Sequence, residues 1–266
     1  ARHVGAAGPE GLVPAPGTQA LIQWLPRLRP PGARVAVVSP TYNEHAAAWA
    51  EAGHAVRPIA GPEDAGPDDD VLVVVNPNNP DGRRWTAPVL RDAAARLGGP
   101  DPLLVADEAF ADPDATPTLA DGENPRLLAL RSFGKFFGLA GLRLGIAVTT
   151  PDRARTLRHA LGPWCVSGPA LAVGAAAYGD GDWIAATRAR LAADAARLDG
   201  LLTGAGLAVA GGTALFRLAH ADDANALAHR LADQGILVRA FPYSGQWVRF
   251  GLPGPDADWD RLAAAL

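Results

Sequence analysis

Cysteine occurs once, at Cys165, and methionine not at all in the 266 residues. One thiol forms no internal disulfide and builds no cysteine-rich metal site, and it suits a reducing cytoplasm, where we expect the protein to reside. The six histidines are scattered, with no His-x-x-x-His or Cys-x-x-Cys spacing to suggest a metal. No apolar run approaches the roughly 20 residues of a membrane helix, and no signal peptide is visible. Net charge is −4, and no basic cluster interleaves with aromatic residues, which argues against a nucleic-acid surface. A chain that begins at Ala1 and lacks methionine leads us to expect a natural N-terminal segment before it. Lysine is the scarcest charged residue: of 24 Lys plus Arg, only Lys135 is lysine. A composition biased toward arginine leaves one lysine by chance. A site that needs an amine able to lose its proton keeps one for a reason, because a guanidinium stays charged. Composition leaves both readings open.

What is present is 48% hydrophobic sequence, enough for one large core or a large and a small one. Short, β-branched apolar runs bounded by turn residues predict buried strands at 34–39 (RVAVVS), 71–75 (VLVVV), 103–109 (LLVADEA), 127–132 (LLALRS) and 142–148 (LRLGIAV). Helical patterns lie between several of them, at Asn43–Gly53 and Thr86–Leu97, with another at Thr18–Leu25. Strands alternating with helices predict an α/β domain with a mostly parallel sheet flanked by helices, whose ligands bind outside the carboxyl ends of the strands. Past Pro151, Ala- and Arg-rich helices and then short strands predict a smaller α+β domain joined by a long helix. The expected division is 1–150 and 151–266.

Three stretches carry chemistry. Asn76 to Arg83, NPNNPDGR, hangs from the end of a predicted strand. Taken alone it reads as turn chemistry, but its place at a strand's carboxyl end also lets an asparagine amide reach a ligand. Asp107 and Glu108 follow the next buried strand, and adjacent side chains there point to opposite faces, so a single carboxylate faces any site. It is a cap or edge acid, or the partner of a buried cation such as a pyridinium N–H. Lys135 comes next, in Ser132-Phe133-Gly134-Lys135, followed by Arg143. A serine, an arginine and the helix start at GTQALIQWL together can hold a phosphate. No P-loop and no dinucleotide fingerprint is present. Lysine, aspartate and a phosphate cradle fit pyridoxal 5'-phosphate.

The order N-P-x-N-P, D-E-x-F, S-x-x-K, R resembles the fold type I pyridoxal-phosphate family, aminotransferase classes I and II, from Gly17 to Arg249. The resemblance implies that Lys135 bonds to the cofactor's aldehyde and that Asp107 pairs with the pyridine nitrogen. It implies that Asn79 donates to the phenolic oxygen and that Ser132, Arg143 and Gly17-Thr18-Gln19 hold the phosphate. Tyr42 matches the ring stacked on the cofactor, and Arg249 the arginine that takes the substrate's α-carboxylate, beside Asn79. Phe110 stands where many members have tyrosine, which removes one hydrogen bond to the phenolic oxygen. Within the family, PGTQALIQWLP, PTYNEHAAAW, DEAF and LRSFGKFFGLAGLRLG look most like the threonine-phosphate decarboxylases of cobalamin biosynthesis, with histidinol-phosphate aminotransferase as the alternative. The implied partner is a small phosphorylated amino acid or amine. The implied assembly is a homodimer, with no nucleic acid or membrane. Arg239 and Arg131 are further cations for the substrate's phosphate, each read first as a surface or salt-bridge residue and neither counted in the site. Tyr178 and Tyr243 are expected in the core, and His45 is expected to cap or pack.

Overall fold

The computed structural model describes residues 1–114 and 118–266. By contact the chain forms two compact units, Ala1–Asn79 with Arg84–Gly181, and Pro80–Arg83 with Asp182–Leu266. The change in composition at Pro151 falls inside the first unit.

In the first unit the elements run β1 (Leu12–Ala15), α1 (Thr18–Arg27), β2 (Arg34–Val38), α2 (Asn43–Glu51), β3 (Ala55–Ile59) and β4 (Val71–Val75). They continue with α3 (Ala87–Arg96), β5 (Leu103–Asp107), β6 (Leu127–Ser132), β7 (Gly145–Val148), α4 (Pro151–Leu161) and α5 (Gly168–Gly179). The strands form one seven-stranded sheet in the order β1-β7-β6-β5-β4-β2-β3. Pairings among β2, β3, β4, β5 and β6 are parallel, and β7 runs antiparallel to both neighbours. The central runs Val71–Val75 and Leu103–Asp107 are buried at every position, because layers cover both faces of the sheet. One face packs Ala36, Leu72, Val74, Leu104, Ala106 and Ala129 against Leu90 of α3. The other packs Val35, Val73, Val105 and Leu130 against Leu21 of α1, Trp49 of α2 and Leu157 of α4.

Two strands, β1 and β3, were not expected from the sequence. Both contain proline, Pro14 and Pro58, and both lie at the sheet's edges, where a missing ladder N–H is tolerated. Strand β7 starts at Gly145, not Leu142, because Ala140–Leu142 forms a 3-10 turn and Arg143 takes the left-handed conformation at φ 51°.

The second unit contains most of α6 (Gly181–Gly204), then β8 (Ala208–Thr213), β9 (Phe216–His220), α7 (Ala224–Asp233), β10 (Arg239–Phe241), β11 (Ser244–Gly251) and α8 (Asp256–Ala265). Its four strands, in the order β10-β11-β9-β8, are antiparallel and share a core of Leu198, Leu202, Leu227, Val248, Phe250 and Trp259. No helix among the described residues is long and apolar enough to cross a membrane.

One close approach in the first unit bears on everything that follows. A Cβ at Gly145 would stand 2.5 Å from the backbone nitrogen of Thr18, so β7 meets the first turn of α1 with no room for a side chain. Gly145→Ala is therefore expected to cost about 1–3 kcal/mol through forced backbone shifts, measured by urea unfolding. Gly141→Ala, where the new Cβ meets nothing within 4 Å, should match the wild type.

Candidate functional site

At the carboxyl ends of β5 and β6 the first unit brings together most of the residues singled out in the sequence. Asp107 closes β5 and is 4% exposed. Its Oδ1 accepts the Ala109 N–H at 3.0 Å, and its Oδ2 lies 2.8 Å from His45 Nε2. With the His45 tautomer that carries its proton on Nε2, the ring donates to the carboxylate. His45 is buried on the first turn of α2, and it orients the acid directly; the capping or packing role expected for it is too modest. The signal available in the sequence was the three-residue spacing from Tyr42, which sets both residues on one side of the helix start.

Tyr42 precedes α2, and its ring meets that of His45 edge-on at 6.2 Å. Its hydroxyl donates to Gln19 Oε1 at 3.3 Å, and the Gln19 amide donates to Glu44 Oε2 at 2.7 Å. Burial, then Glu44 and Asp107, raise the Tyr42 hydroxyl above its ordinary pKa, so it remains a neutral donor. The starts of α1 and α2 are thus tied to each other beside Asp107.

The asparagines of NPNNP divide in role. Asn76 brackets Trp85, donating to its carbonyl at 3.0 Å and accepting its N–H at 3.1 Å. Asn78 is fully buried, accepts from Thr41 Oγ1 at 2.6 Å and donates to the Pro40 carbonyl at 3.0 Å. Both build the turn, and the half-buried Asn79 sits on it.

Ser132 closes β6, directly across from Gly145 of β7, and its Oγ accepts the Gly134 N–H at 3.3 Å. Gly145 is the residue pressed against Thr18, so the serine lies close to the start of α1. That helix begins after Gly17, at φ 83°, with no side chain capping its first N–H groups. A Cβ at Gly17 would come within 2.7 Å of Arg143 Nη2. Hydroxyl, guanidinium and helix start converge as a cradle of the kind that binds an anion. Lys135 is exposed on the turn after β6, with Nζ 5.4 Å from the centre of the Phe110 ring. No group of three His, Cys, Asp or Glu among the described residues could hold a metal ion.

Arg131, raised as a possible phosphate ligand, is buried beside Glu108 and Asp112. Tyr178 packs on Phe133 at 4.4 Å, as expected of a core residue. Tyr243, in the second unit, is 45% exposed and so does not belong to the core. Within that unit Arg249 lies opposite Arg239 in the β10–β11 register, with its guanidinium 5.2 Å from the Phe216 ring centre. Burial and then Arg239 hold the Arg249 guanidinium below its ordinary pKa. Like charges directly opposite on neighbouring strands are destabilising by themselves.

The profile described as "Aminotransferase class I and II" matches residues 1–266. The chain is 46% identical over 262 residues to the threonine-phosphate decarboxylase of Pseudomonas aeruginosa, covering 97% of this chain and 78% of that protein. It is 45% identical over 258 residues to the threonine-phosphate decarboxylase of a Sinorhizobium species, covering 96% and 76%. Among solved structures, the histidinol-phosphate aminotransferase of Sinorhizobium meliloti in complex with pyridoxal-5'-phosphate superposes with a TM-score of 0.85 at 27% identity, covering 100% of this chain and 77% of that one. With the profile match running the full length and its lysine, aspartate and anion cradle at one sheet end, this chain belongs to the class I and II aminotransferase family.

Proposed function

We propose that this chain is a pyridoxal-phosphate-dependent threonine-phosphate decarboxylase, which converts L-threonine O-3-phosphate to aminopropanol phosphate and carbon dioxide for cobalamin biosynthesis. The observation that carries the chemistry is one placement: the single lysine follows β6 beside the anion cradle, while a buried, histidine-oriented carboxylate closes β5. The choice of reaction within the family rests on the similarity of nearly the whole chain to threonine-phosphate decarboxylases.

The residues present fit pyridoxal 5'-phosphate. The cradle of α1, Ser132 and Arg143 suits its phosphate, and at Gly17 a methyl group would crowd the guanidinium. Asp107 suits its pyridine nitrogen. Bound there, the cofactor supplies an electron sink for the pair left when a bond to the substrate's Cα breaks.

Each side chain then has a task. With the cofactor bound, Lys135 would be the residue that holds its aldehyde, and in its ammonium form it would supply the proton for the substrate's Cα. Asp107, fixed by His45 and the Ala109 N–H, keeps a proton on the pyridine nitrogen. Tyr42 would pack on the ring, and Asn79 would donate to its phenolic oxygen. Arg249 takes the substrate's α-carboxylate. A homodimer, implied by the resemblance, belongs to the same proposal.

An assay of cofactor-loaded protein with threonine phosphate should release carbon dioxide and aminopropanol phosphate in equal amounts. No carbon dioxide, with glutamate formed from histidinol phosphate and 2-oxoglutarate in place of it, would make the protein an aminotransferase. Lys135→Arg keeps the charge but removes the nucleophilic amine, and turnover should fall by about 10²–10⁴-fold or more while the protein stays folded by circular dichroism.

A further inference from the structure

Behind Asp107 and Ser132, on the opposite face of the sheet, lies a buried cluster of charges with no part in the chemistry above. Successive side chains on a strand alternate faces. Glu108 follows Asp107 on the face away from His45, and Arg131 precedes Ser132 on that same face. Both are buried, at 3% and 2% exposure. Arg131 Nη1 lies 3.7 Å from Glu108 Oε2, and Nη2 lies 3.5 Å from Asp112 Oδ1. Glu108 Oε1 accepts the Leu119 N–H at 2.7 Å, and among the described residues Glu108 Oε2, Arg131 Nε, Arg131 Nη1 and the buried Tyr178 hydroxyl have no hydrogen-bond partner. Burial raises the Glu108 carboxyl above its usual pKa, with Arg131 pulling the other way.

This arrangement is poor as a stabilising device. Buried charges pay a desolvation penalty that is recovered only with close, fully satisfied geometry, and apolar side chains of similar size are often as stable or more so. What the pair does supply is a fixed separation. The backbone already ties the strand ends, with Glu108 N–H donating to the Leu130 carbonyl at 2.9 Å. The ion pair adds a side-chain link one residue beyond, at the point where both strands leave the sheet for the site. The link is also continuous with the wall behind the lysine turn. Tyr178 packs on Phe133 and Phe137, at 4.4 and 5.4 Å, and stacks on His3 at 4.1 Å. His3 Nε2 is in turn 3.4 Å from Asp112 Oδ1.

We propose that Glu108 and Arg131 are positioning residues that set, from behind the sheet, the separation of Asp107 from Ser132 and the lysine turn. This rests on the reading of those residues as a pyridoxal-phosphate site. Removing either charge leaves only the backbone bond between the two strand ends and loosens their spacing beyond it, so the pyridine and phosphate contacts fit one rigid cofactor less well.

The test titrates pyridoxal 5'-phosphate into the wild-type chain, Glu108→Gln, Arg131→Met and the double variant, reading cofactor Kd, the pH midpoint of the bound cofactor's absorption, and Tm. Each single variant is expected to raise Kd by about tenfold or more and to move the midpoint. The double variant, which leaves Asp112 beside His3 as the remaining buried charge, should keep the weakened Kd. If Tm alone falls, with Kd and midpoint staying within about twofold of wild type, the pair only supports the fold and the inference is overturned. Should Arg131→Met not fold, the isosteric Glu108→Gln carries the comparison by itself. A wild-type chain that binds no cofactor overturns the functional reading itself, a failure visible before any variant is compared.

Discussion

Where β7 passes the first turn of α1, the two backbones come so near that residue 145 has no space for a side chain. This contact places three otherwise unrelated pieces at one point. Gly145 pairs across the sheet with Ser132, Thr18 opens a helix with uncapped N–H groups, and Arg143 lies two residues before β7 in a left-handed conformation that turns the chain back. An anion held there would be met by a hydroxyl, a guanidinium and a helix dipole at once. Only after that cradle is fixed does the position of Lys135, three residues past Ser132, acquire chemical meaning.

The second determinant is the alternation of side chains at the ends of β5 and β6. Asp107 and Ser132 face the catalytic side, and Glu108 and Arg131 face away. The same alternation gives each carboxylate a different environment. Asp107 has two directional partners, a histidine ring and a backbone N–H. Glu108, among the described residues, has the Leu119 N–H, an arginine 3.7 Å away and a carboxyl pushed upward by burial against the pull of Arg131 and Thr118. Two adjacent acids thereby have unlike surroundings, one held by a histidine and a backbone N–H and one in the charge cluster behind the sheet.

Much of this was legible in the sequence. The strings VLVVV, LLVAD and LLALRS read as buried strands because nothing polar interrupts them, and the carboxyl ends of those strands are where the motif residues fall. The edge strands were not legible, since Pro14 and Pro58 break the pattern and only the sheet's boundary explains why they are tolerated. Pairings between distant residues were also hidden: His45 and Asp107 stand 62 positions apart, and a histidine early on an alanine-rich helix reads as packing. The opposed arginines of β10 and β11 were visible only as separate cations, because register is not written in a short strand.

The central claim is that the one lysine of the chain is the residue that bonds the cofactor, and its rarity makes the claim simple to test. Pyridoxal 5'-phosphate is added, the adduct is reduced with borohydride, and the labelled peptide is identified by mass spectrometry. The only other amine in the 266 residues is the amino terminus. The account predicts one label, on the peptide containing Lys135, blocked by prior addition of inorganic phosphate at high concentration. Label confined to the amino terminus, with Lys135 unmodified in folded protein, would contradict it.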